Sequence, residues 1–171
     1  MITQAVSRRG FMGAGATAAL GFSLLPGNAR GAPTGVPPSG KLNVGCIGIG
    51  GQGSGVTREL ASFGNVSIAA LCDVDAKYAA RTIKEYPGRP VYNDYRVMLE
   101  KEKGLDAVMI ATPDHWHAPI SIAAMQLGKH VYVEKPMAHT IEEARLMGKV
   151  AADMKVVTQM ETTDTEAKDF D

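Results

Sequence analysis

Three glycines at G-x-G-x-x-G spacing, in Gly48-Ile49-Gly50-Gly51-Gln52-Gly53, follow an apolar run and open a helical pattern. That spacing suits a diphosphate. Gly48 permits a tight turn, Gly50 lets backbone amides approach the phosphates, and Gly53 lets a helix pack closely on a strand. Gly51 and Gln52 add their own amides, and a helix start there offers unpaired N–H groups with a partial positive charge. One such match means little in a chain with 19 glycines, so context decides. The context is an acidic residue, Asp73, directly after the next apolar run. A carboxylate there accepts hydrogen bonds from a ribose and repels a 2′-phosphate, which favours NAD over NADP. Lys77 close by leaves NADP use open. The plainer role for Asp73 is a helix N-cap, which Asp75 would fill equally well.

Two further clusters stand at the ends of later apolar runs. Ala111-Thr112-Pro113-Asp114-His115-Trp116-His117 follows one, and Glu134-Lys135-Pro136 follows another. In an open parallel sheet, strand ends of this kind face the same crevice as the glycine loop. A lysine there can give a proton to a substrate oxygen or take one from it, and Glu134 would hold that lysine or contact a cofactor ribose. The alternative for Lys135 is an ordinary surface lysine at a strand end. His115 and His117 do not read as a metal pair, because helical positions i and i+2 point about 200° apart. No third ligand lies at a useful spacing. Trp116 suits ring stacking and gap filling equally.

The elements that must position these residues alternate regularly. Strands are expected over residues 42–49 and 66–72, near Val91, and over 105–111, 130–134 and 155–159. Helices are expected over 53–63, 75–86, 94–103 and 114–127, with Gly128 ending the last. A final helix opens with the capping box Thr140 and Glu143. It places Ile141, Ala144, Met147, Ala151 and Met154 at helical spacing. Met125, Met147 and Met154 then read as core filler. Strand–helix alternation with short connections implies an α/β fold, a doubly wound parallel sheet of six strands.

Composition narrows the class. The 171 residues hold 18 Lys+Arg and 18 Asp+Glu, and the basic residues are scattered, so no nucleic-acid partner is indicated. Two cysteines, Cys46 and Cys72, exclude a disulfide scaffold; both fall inside strands, as buried free thiols. Residues 1–32 carry Arg8, Arg9 and Arg30 and no acid, with a weakly apolar run from Phe11 to Leu25. This run is shorter than the roughly 20 apolar residues of a membrane span. The segment therefore reads as a twin-arginine export signal with cleavage near Ala32, sending the protein to the periplasm or outside. Residues 33–40, with Pro33, Pro37 and Pro38, read as a linker, and 41–160 as the folded domain.

Taken together, the glycine loop, Cys72-Asp73-Val74-Asp75, the 111–118 segment and the 130–144 segment resemble the glucose–fructose oxidoreductase, inositol dehydrogenase and MocA family. The resemblance runs from about Lys41 to Met160. It implies a Rossmann domain binding NAD(P), with Lys135 in the catalytic lysine position and Asp73 on the adenosine ribose. It also implies that Thr112, Pro113, His117 and Glu134 line the cofactor cleft. Family substrates are sugars, polyols or related cyclic compounds. A related exported branch comprises NAD-dependent glycosidases in which the lysine–proline element is replaced. The intact Glu134-Lys135-Pro136 favours the dehydrogenase side.

Family members continue into a second α/β domain that supplies the substrate pocket. Residues 161–171 here hold five acids, one base and one large apolar side chain, and read as a disordered acidic tail. Two expectations follow. One is an oxidoreductase by descent, binding NAD and a sugar-like substrate when a second domain is supplied. The other is a nucleotide-binding module, or inactive fragment, without turnover. Without that domain there are few grounds for an oligomer.

Overall fold

The structure is a computed structural model that describes residues 40–162. The expected export signal, the linker up to residue 39 and residues 163–171 lie outside the described residues.

Six parallel strands form one sheet, in the order β3-β2-β1-β4-β5-β6. They are β1 Leu42–Ile47, β2 Val66–Cys72, β3 Val91–Tyr92, β4 Ala107–Ile110, β5 His130–Val133 and β6 Thr158–Met160. The helices between them are α1 Gly51–Ser62, α2 Ala80–Glu85, α3 Tyr95–Lys101, α4 His117–Gln126 and α5 Ile141–Met154. Strand order reverses between β1 and β4, which pair directly from Val44↔Ala107 to Ile47↔Ile110.

The apolar runs are continuous because the central strands are covered on both faces. Within β4, Val108 and Ile110 pack with Met98 of α3, Ala124 of α4 and Met147 of α5, while Ala107 and Met109 pack with Val56 of α1. Alternate residues of one strand thus serve two core layers, and Val108, Met109 and Ile110 are fully buried. Each such aliphatic side chain contributes about 1.5–3 kcal/mol relative to exposure.

Several boundaries differ from the sequence expectation, each for a local reason. Strand β1 stops at Ile47 because Gly48 turns the chain with φ +78°. The first helix begins at Gly51 rather than Gly53, so the last glycine of the loop lies inside its first turn. Residues 76–79 form turns before α2: Asp75 Oδ1 accepts the Lys77 and Tyr78 N–H groups at 2.9 and 3.0 Å. The helix expected from Asp114 starts as a single 3-10 turn, Asp114–Trp116, and becomes α-helical at His117. Strand β6 begins at Thr158, because Lys155 caps α5 in the left-handed conformation, φ 54°. Glu161, placed in the tail from sequence, still donates its N–H to the Val133 carbonyl at 2.9 Å.

The capping box of α5 forms. Thr140 Oγ1 accepts the Glu143 N–H at 3.2 Å, and Glu143 Oε2 accepts the Thr140 N–H at 2.9 Å. Met125 and Met147 are buried and Met154 half-buried, but Ile141, the first residue of α5, is exposed. Among the described residues, no helix is long and apolar enough to cross a membrane.

Candidate cofactor site

The glycine loop sits at the carboxyl end of β1, beside the reversal of strand order. Gly48 holds a positive φ, and a Cβ there would lie 2.5 Å from the Ala111 carbonyl oxygen. A Cβ on Gly53 would run into the carbonyl oxygen of Gly48. The two glycines therefore let the loop, α1 and the end of β4 approach within backbone contact. Helix α1 has Gly50 as its N-cap, no side-chain cap and no acidic residue in its first turn. Its leading N–H groups, including those of Gly51 and Gln52, are left to an anion.

Asp73 stands against this loop. Its Oδ2 accepts the Gly50 N–H at 3.0 Å and its Oδ1 accepts the Asp75 N–H at 2.9 Å. A carboxylate offers about four acceptor sites, so each oxygen keeps one for a further donor such as a ribose hydroxyl. Asp75 holds the turn that precedes α2, and α2 itself opens after Ala79 without a side-chain cap.

A cavity of about 440 Å³ opens at this point, lined by Gly48, Gly50, Asp73, Thr112 and Pro113 of the expected set. Sequence reasoning missed Tyr78, Asn93, Asp94, Tyr95 and Arg96, which also line it. Tyr78 packs over Gly50 and Gly51, where a Cβ would strike its ring. Tyr95 meets Trp116 edge-on, with centroids 6.4 Å apart, and carries the Arg96 guanidinium 4.8 Å from its own ring centroid. Trp116, 40% exposed, is thus a cavity-wall residue. Asn93 and Asp94, between the short β3 and α3, put the first turn of α3 on the cavity wall.

Residues 42–162 match the GFO/IDH/MocA family model, described as an oxidoreductase family with an NAD-binding Rossmann fold. The chain belongs to this family. Glycosyl hydrolase family 109 protein 2 of Shewanella sp. strain ANA-3 is 40% identical over 117 residues, covering 63% of this chain and 25% of that protein. Among solved structures, myo-inositol 2-dehydrogenase from Lactobacillus plantarum superposes with a TM-score of 0.66 at 28% identity, over 71% of this chain and 36% of that one. Scyllo-inositol dehydrogenase from Lactobacillus casei, with bound NAD(H) and scyllo-inositol, gives a TM-score of 0.65 at 25% identity, over 70% and 36% of the two chains. The chain spans about a quarter of the length of the curated relatives it matches, and about a third of the solved ones.

Two expected residues of this Rossmann domain lie on the other side of the glycine loop. Glu134 and Lys135 follow β5 and do not line the cavity. Glu134 is buried; Lys135 is exposed, and its bond to Pro136 is cis. His117 does not line this cavity either. It is 1% exposed, with Nδ1 2.6 Å from the Pro136 carbonyl and Nε2 2.7 Å from the Thr112 carbonyl. As the first residue of α4, it sits between the two loops and ties them together from behind. Thr112 Oγ1 is buried at the cavity wall without a partner among the described residues. A ligand hydroxyl or amide there would satisfy it.

The thiols offer no nucleophile. Burial pushes Cys46 up to about 12, and burial with the charges of Asp73 and Asp94 does the same for Cys72. Among the described residues, no group of three or more His, Cys, Asp or Glu could hold a metal ion.

Proposed function

We propose that residues 42–162 hold NAD and form the cofactor half of an enzyme that moves hydride to or from a sugar, polyol or related cyclic alcohol. The observation that supports it best is the joint placement of an uncapped α1 N-terminus and Asp73 on one glycine loop. The loop amides would hold the diphosphate, Asp73 the adenosine ribose, Thr112 and Pro113 the cleft wall, and Glu134 the far end of the crevice. When bound, the nicotinamide supplies the hydride acceptor or donor. Lys135 would take the proton from the substrate hydroxyl as the neutral amine, or return it as the ammonium, a role open to an exposed lysine at the end of β5. The carboxylate of Asp73 disfavours the additional phosphate of NADP.

A second reading is glycoside cleavage assisted by transient oxidation of the sugar, favoured by the 40% identity to a glycosyl hydrolase family 109 protein. The intact Glu134-Lys135-Pro136 supports the dehydrogenase reading over it. The paired Arg8-Arg9 supports export by the twin-arginine route, testable by locating the protein in cell fractions with and without Arg8→Lys and Arg9→Lys.

The test is to supply NAD⁺ with a panel of polyols and sugars while following reduced nicotinamide, and in parallel with aryl glycosides while following the released phenol. Reduction abolished by Lys135→Ala supports the first reading, and glycoside release without net reduction supports the second. Nicotinamide binding with turnover in neither assay identifies a nucleotide-binding module, and absence of binding overturns all three.

A further inference from the structure

The ends of β5 and β6 carry two carboxylates side by side. Val133 pairs with Met160, and the Glu161 N–H donates to the Val133 carbonyl, so Glu134 and Glu161 leave adjacent strands at the same level. Glu134 is only 5% exposed. Its Oε1 and Oε2 of Glu161 are both buried, and neither has a hydrogen-bond donor among the described residues. An ionised carboxylate can only accept, so two ionised groups here would leave both oxygens orphaned and facing a like charge. One proton satisfies both: the hydroxyl of one acid donates to the carboxylate of the other.

The surroundings act the same way. Glu59 reaches the pair from α1, Tyr132 faces it from β5, and Lys135 provides the opposing positive charge. A hydrogen bond to Glu134, then burial, then the charges of Glu134 and Glu59 push the Glu161 carboxyl up to about 7, against the pull of Lys135. Tyr132, pushed up to about 12 chiefly by burial, stays neutral beside it.

We propose that Glu161 is a positioning residue, which as a protonated acid donates to Glu134 and fixes that carboxylate at the root of the Lys135-Pro136 turn. The role in binding rests on the assignment of the β5 end to the cofactor crevice. The shared proton does not. Nothing in the glycine motif or the β5 motif points to Glu161, which is supplied by the strand after them.

A carboxyl raised in the folded state contributes stability that is present below its unfolded value and lost as pH rises through the folded one. For Glu161 this window runs from its ordinary 4.5 to about 7. The test uses the full chain, Glu161→Gln and Glu161→Ala, in thermal unfolding across this range and in NADH titrations below and above neutrality. Glu161→Gln carries a permanent N–H donor and no charge. Relative to it, the parent protein should lose about 4 °C across the window, while Glu161→Ala is destabilised even at the acid end. NADH affinity of the parent should fall about fivefold from pH ~6 to pH ~8.5, and that of Glu161→Gln less than about twofold. Parallel melting profiles for the parent and Glu161→Gln would overturn the shared proton. Divergent melting profiles with equal pH dependence of NADH affinity would overturn the positioning role. Divergent profiles with no NADH binding at any pH would support the shared proton and refute the cofactor reading instead.

Discussion

The Gly50 N–H donates to Asp73 Oδ2 at 3.0 Å, so the acidic residue after β2 and the glycine loop after β1 form one unit. Twenty-three positions apart in sequence, they meet because β1 and β2 pair in parallel, with Ile47 opposite Cys72. The Gly48 N–H, donating to the Cys72 carbonyl at 2.8 Å, extends this pairing into the turn. On the proposed assignment, ribose and diphosphate recognition would be mechanically coupled, because moving Asp73 moves the loop.

Two glycines in α1 should respond oppositely to the same change. Gly53→Ala forces a Cβ onto the Gly48 carbonyl, whereas a Cβ at the exposed Gly55 meets nothing within 4 Å. Chemical denaturation should show Gly53→Ala destabilised by about 1–3 kcal/mol and Gly55→Ala stabilised by about 0.5–1 kcal/mol.

His117→Ala removes the ring that bridges the Thr112 and Pro136 carbonyls and leaves a buried carbonyl without its N–H donor. The expected loss is about 2–4 kcal/mol in denaturant unfolding, with the Lys135-Pro136 turn exchanging its amide hydrogens faster than in the parent.

The thiols should be silent in the folded protein. With Cys46 and Cys72 both pushed up to about 12, a disulfide reagent at mildly alkaline pH should modify them only at the rate of unfolding. The sign for stability follows. Their folded values lie above the ordinary 9.0, so stability is lost as pH rises from about 9 toward 12. Cys46→Ala should flatten part of that alkaline decline in a pH series of melting temperatures.

Much of this architecture was readable from the chain. The 3.6-residue spacing in α5, its Thr140–Glu143 box and the unbroken apolar runs of β1 and β4 are local signals that packing reinforces. The loop and Asp73 were readable too, since glycine sterics and a carboxylate after β2 leave a mark at fixed spacing. What escaped depends on contacts distant in sequence. Tyr78 over the loop, Tyr95 against Trp116 and Glu161 beside Glu134 are brought together by sheet order, which no short motif encodes. The position of the His117 ring between two backbone carbonyls likewise depends on contacts that no short motif encodes.

The most direct measurement is a fluorescence titration of the full chain with NADH and NADPH, with Asp73→Ala in parallel. Loss of a charged hydrogen-bond acceptor on the ribose should weaken NADH binding about tenfold and narrow the preference for NADH over NADPH. NADH binding unchanged by Asp73→Ala, or no binding by the parent protein, would contradict the account.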